Sequence, residues 1–130
     1  MREILFRGKC NETCKYKGQW IEGFYGEDDG KPIIVRSTGP GFGYFCEPNS
    51  IGQYTGLTDK NGTKVFEGDI IKICGQHSCF DKVEFLDGLA GFYAVNDDIH
   101  IPAELATLKK NFIEVIGNIY DNPELLEAKY

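Results

Sequence analysis

Turn-forming clusters at short intervals constrain this chain more than any other feature. EDDGKP (27–32), DKNG (59–62), EGD (67–69), DG (87–88) and NDD (96–98) each cut off an apolar run before a long helix can develop. Such clusters act through known chemistry. Glycine accepts left-handed backbone angles, and Asp and Asn carboxyl or amide oxygens accept hydrogen bonds from backbone N–H groups two residues on. Between them lie QWIEGFY (19–25), IIKI (70–73), DKVEFL (81–86) and GFYAV (91–95), rich in β-branched and aromatic residues. With 16 glycines in 130 residues, the pattern predicts a mostly β protein of about nine short strands.

The order of segments suggests two halves. REILFR (2–7) reads as an opening strand with Ile4 and Phe6 on one face, and 19–25 with Ile33–Arg36 as a hairpin. Ser37–Asn49 holds Gly39, Pro40, Gly41, Gly43 and Pro48 and reads as a long connection. The expected division is therefore 1–50, an N-terminal β lobe rich in hairpins, and 51–130, a C-terminal lobe. In IGQYTGLTDKNGTKVFEGDIIKI (51–73), Asp59, Asn61 and Gly62 are assigned to one turn, Gly68 and Asp69 to the next. Two tight turns so close together predict the corner of a small barrel-like sheet. Pro102 with Leu105 and Leu108 predicts a short helix, and Asn122-Pro123 a second one at the C-terminus.

Several function classes lose support on composition. The formal charge is −6, from 20 acidic and 14 basic residues, whereas nucleic-acid affinity comes largely from Lys and Arg on phosphates. No apolar run approaches the ~18 residues of a membrane span. MREILFRGKC has no apolar leader segment, so the expected location is the cytoplasm. An odd count of five cysteines suggests reduced thiols. Cys10, Cys14, Cys74 and Cys79, with His77 nearby, offer a possible tetrahedral zinc set. Neither cysteine pair has the two-residue spacing of a zinc knuckle, so no metal or other cofactor is expected. The carboxylates Asp59, Glu67 and Asp69, and the pair Asp97-Asp98, have no calcium-loop spacing, and there is no phosphate-cradling GxxxxGK[ST]. Turn-making explains them better than catalysis, and no catalytic residue is assigned.

Three stretches carry a family resemblance. MREILFRG at the N-terminus, GQYTGLTDKNGTKVFEGDIIK in the middle and IEVIGNIYDNPELLE near the end resemble the YopX family, small proteins encoded by phages and prophages of Gram-positive bacteria. The resemblance spans nearly the whole chain. It implies a β-rich fold, a phage or prophage origin and residence in the host cytoplasm, and it brings no catalytic residue with it. Cys10, Cys14, Cys74 and Cys79 lie outside the family pattern.

What remains is an aromatic surplus. Trp20, Phe24, Tyr25, Phe42, Tyr44 and Phe45 crowd a half of the chain with few strands to bury them, and interfaces are enriched in such residues. These six are the candidate interface. The expected function is a non-enzymatic, homo-oligomeric binding or assembly module with a host or phage protein partner. The alternative is an accessory factor associated with nucleic acid, as small barrels often are.

Overall fold

Asp29 and Gly30 both take positive φ, 53° and 74°. This is the type I′ turn geometry whose twist matches that of the strands it joins. It closes β2 (Trp20–Asp28) onto β3 (Lys31–Arg36). The computed structural model describes residues 3–36, 42–74, 79–96 and 100–127. Its other strands are β1 (Phe6–Lys9), β4 (Gly43–Phe45), β5 (Gly52–Thr58), β6 (Lys64–Phe66), β7 (Asp69–Ile73), β8 (Phe80–Leu86), β9 (Gly91–Asn96), β10 (His100–Glu104) and β11 (Ile113–Asn118). The protein is mainly β, built on two antiparallel sheets.

The chain divides into two compact units, Met1–Tyr54 and Thr55–Tyr130, and the division falls inside β5. In the first unit the strand order is β4-β3-β2-β1-β5, with β5 entering through the pairs Arg7↔Gly52 and Phe6↔Gln53. One side of that sheet carries the core: Cys10, Ile21, Ile34 and Cys46, with Phe6, Cys14, Tyr16, Tyr44 and Ile51 packed against them. The rest of β5 runs beside β6 in the second unit. There the sheet order is β10-β9-β8-β7-β11. Its core is Val65, Ile71, Ile73, Val83, Ala94, Leu105 and Ile113.

Three expectations need correction. The C-terminal sheet is open, ending at β10 and β11, and not a closed barrel. The stretch after Pro102 is not a helix. Pro102 lies within β10 at a sheet edge, where its missing N–H costs no ladder bond. Leu105–Thr107 and Lys110–Phe112 are then single 3-10 turns. The Thr107 hydroxyl donates to the Glu104 carbonyl at 2.7 Å, a local bond of the kind that competes with helix propagation. At the C-terminus, Pro123–Glu127 is a 3-10 segment of five residues and not an α-helix. Asn122 Oδ1 accepts from the N–H of Asn118, turning back toward β11 instead of capping forward.

The opening strand also starts later than expected, at Phe6, which packs on the core face; Ile4, exposed, and Leu5, buried, precede it. No described helix is long and apolar enough to cross a membrane. His77, Asp97, Asp98 and the Gly39–Gly41 breakers lie outside the described residues.

Candidate binding surface

Register decides which of the candidate side chains share a surface. In β2 the pairs run Lys9↔Trp20, Arg7↔Glu22, Phe24↔Val35 and Gly26↔Ile33, and β4 adds Ile33↔Phe45 and Val35↔Gly43. Because side chains alternate, all of these project from one face of the first unit's sheet. Tyr25 pairs with Ile34, and Ile34 with Tyr44, so Tyr25 and Tyr44 belong to the opposite, core face. The six predicted aromatics are thus split. Trp20, Phe24 and Phe45 share one face, and Tyr25 and Tyr44 lie on the other. Phe42 precedes β4 and is exposed.

The first face has an apolar stripe. Phe24 is 57% exposed although it sits inside a strand, beside the half-buried Val35 and Ile33 of β3, with the half-buried Phe45 of β4 beyond them. At one end of the stripe the Arg7 guanidinium lies 4.8 Å from the centre of the Trp20 ring, and Lys9 Nζ lies 6.0 Å away. On the opposite face Phe6 and Tyr25 pack with ring centres 5.7 Å apart. They line a shallow pocket of about 310 Å³ with Pro32, Pro48 and Ile51. Tyr25 Oη donates to Glu27 Oε1 at 3.1 Å, and this hydrogen bond raises the phenol's pKa.

The turn residues occupy the second unit. Asp59 Oδ1 accepts from the N–H groups of Asn61 and Thr63, and Oδ2 from that of Val115, each at 2.9 Å. Burial opposes its ionisation, but the three donors and the Lys60 charge outweigh burial and hold the carboxyl below its ordinary pKa. Gly62 and Gly68 take positive φ, 80° and 91°. Asp69 Oδ2 accepts from the N–H of Phe66 at 2.7 Å.

Of the zinc candidates, Cys10 and Cys14 lie in the first unit, Cys74 and Cys79 in the second. Among the described residues no group of three or more His, Cys, Asp or Glu is arranged to hold a metal ion. The neighbour of Cys10 and Cys14 is Cys46, which cysteine spacing alone did not single out. Burial first, and Cys14 second, push the Cys46 thiol up to about 11. Burial and a hydrogen bond with Cys14 raise Cys10 as well.

A family model described as YopX protein matches residues 5–127. The chain belongs to the YopX family. Among solved structures, this YopX-family chain is similar to the crystal structure of protein EF1440 from Enterococcus faecalis. The identity is 25% and the TM-score 0.58, over 97% of this chain and 99% of that one. No curated protein matches it. The YopX stretch therefore takes in both units, with the Phe24 stripe in the first and the Asp59 turn in the second.

Proposed function

We propose that this YopX protein is a non-catalytic binding and assembly module, of phage or prophage origin and acting in the host cytoplasm. Its contact surface is the β2–β3–β4 face, and its first partner is a second copy of itself. The observation that carries this reading is Phe24. A large aromatic more than half exposed beside the apolar Ile33, Val35 and Phe45 is what a self-complementary interface uses as an anchor. Two copies related by a two-fold axis would seat each Phe24 against the partner's Ile33, Val35 and Phe45.

Size-exclusion chromatography with light scattering tests it. The expected result is a dimer for the native chain and a monomer for Phe24→Asp, with circular dichroism unchanged. A native chain that stays monomeric at about 100 μM, where even weak interfaces are populated, overturns the reading.

A specific feature favours the nucleic-acid alternative, namely Arg7 and Lys9 beside Trp20. Two facts weigh against it. Arg7 already occupies a face of the Trp20 ring on which a base would stack, and the net charge is −6. Binding to single-stranded DNA that weakens steeply with salt, and is lost in Arg7→Ala, would favour that alternative.

A further inference from the structure

The core face of the first unit's sheet gathers three of the five cysteines. Cys10 and Cys46 are opposite each other in an isolated antiparallel bridge. The flanking hydrogen bonds identify the kind of pair: Asn11 N–H donates to the Phe45 carbonyl at 3.0 Å, and Glu47 N–H donates to the Lys9 carbonyl at 2.8 Å. Those bonds lie on either side of the cysteines, which makes Cys10 and Cys46 a non-hydrogen-bonded pair. In such pairs the Cα atoms approach to about 4.5 Å, within the roughly 4.4–6.8 Å that a disulfide spans.

The surroundings leave room for the sulfurs. A Cβ added at Gly8 would stand 2.9 Å from Cys46 Sγ, so the glycine provides the space that sulfur occupies. The loop between β1 and β2 folds back over this face through Gly18 N–H to the Cys10 carbonyl at 3.0 Å and Cys14 N–H to the Asn11 carbonyl at 3.1 Å. That turn packs Cys14 against the Cys10–Cys46 cluster while leaving it half-exposed. Cys10 and Cys46 themselves are 2% and 1% exposed. Cys14 is thus the most accessible of the three, its sulfur accepting from the Tyr16 N–H at 3.4 Å, and the other two lie behind it.

We propose that Cys14, Cys10 and Cys46 form a thiol–disulfide exchange site. It takes a small-molecule disulfide at Cys14 and passes the oxidation inward to a Cys10–Cys46 bridge. The Cys14 thiolate attacks one sulfur of the small disulfide, forming a mixed disulfide and expelling a thiolate that takes up a proton. Cys10 then attacks the Cys14 sulfur, expels the second small thiol and closes a Cys10–Cys14 bond. Finally Cys46 attacks the Cys10 sulfur and returns Cys14 as a free thiol. One small disulfide is reduced to two thiols, while Cys10 and Cys46 together lose two hydrogens and two electrons. Burial holds Cys10 and Cys46 as thiols, so the inward steps are slower than the first. The site is independent of the Phe24 face and does not rest on the dimer.

Incubating the full chain with excess oxidised glutathione, quenching with acid and mapping disulfides by mass spectrometry tests this. The expected sequence is a glutathione adduct at Cys14, then its replacement by a Cys10–Cys46 bridge. The melting temperature should rise by about 5 °C or more as a long loop is closed. Cys14→Ser should slow bridge formation at least about tenfold, because the oxidant then meets only the two buried thiols of the site. Cys46→Ala should stop at a Cys10–Cys14 bond. A Cys14 adduct that persists in the folded native chain without any internal bridge overturns the proposal. So does a Cys14→Ser chain that forms the bridge as fast as the native one. The native chain decides the first point whatever the variants do.

Discussion

Asp59 shows what one buried carboxylate can organise. It is 1% exposed, and it ties its own turn to β11 through Val115, 56 residues away. Its pKa is held below the ordinary value, so its contribution to stability is present above the unfolded-state value near ~4 and is lost as pH falls through the lower folded-state value. Asp59→Asn keeps one acceptor oxygen but sets an amide NH2 against a backbone donor. It should cost about 2 kcal/mol at neutral pH. Urea midpoints measured from pH 7 down to pH 3 should show the native and variant curves converging in acid; a constant gap would assign the loss to shape and not to charge. Of the two local hydrogen bonds, the one from Asn61 was legible in DKNG, since an Asx turn is written in adjacent residues. The bond to Val115 was not, because nothing near Asp59 names a partner so far along the chain. Asp81 is a related case. Alternation along β8 puts it on the face of Val83, yet its charge argues for solvent, and the structure buries it completely, with the Cys79 thiol 3.8 Å from Oδ1.

At the level of elements, strands and turns were more legible than their closure. The EDDGKP hairpin and the two turns after Gly56 follow from residue type, because φ > 0 at Gly30, Gly62 and Gly68 is a local demand. Whether five strands close into a barrel depends on tilt and shear summed over all of them. No short segment carries that sum, so an open sheet and a closed one read alike. The split of the six aromatics has a similar origin. Their number was visible, but which face each took depended on pairing register, and one residue of slip exchanges the faces. Register in the first unit is held where β2 and β3 approach closely at Gly23. A Cβ there would stand 2.0 Å from the Val35 carbonyl oxygen, and backbone cannot move aside as a flexible side chain can. Gly23→Ala should therefore cost about 3 kcal/mol, while Gly26→Ala, whose nearest contact would be an ordinary 3.5 Å to the Ile33 side chain, should cost about 1 kcal/mol or less. Thermal melts of the pair check this, and equal losses would remove the close approach as the cause.

For the molecule as a whole, the two cores are built from separate residues. Cys10, Ile21, Ile34 and Cys46 make one, and Val65, Ile71, Ile73, Val83, Ala94, Leu105 and Ile113 the other. Each closes within its own unit, and β5 is the strand that passes from the first unit to the second. A cavity made in one core lowers the free energy of opening the strands that line it, and about 2–5 kcal/mol is the usual loss for Ile→Ala at a fully buried site. Local opening is what amide exchange reads. Ile71→Ala should accelerate exchange in β7, β8, β9 and β11 at least about thirtyfold, the factor that ~2 kcal/mol corresponds to, and leave β2 and β3 within about threefold of the native rate. Ile34→Ala should give the reverse pattern. Hydrogen–deuterium exchange followed by peptide mass spectrometry separates the strands directly. If either substitution accelerated both sets equally, the two cores would open together as one cooperative unit, and the separation read from their packing would fail.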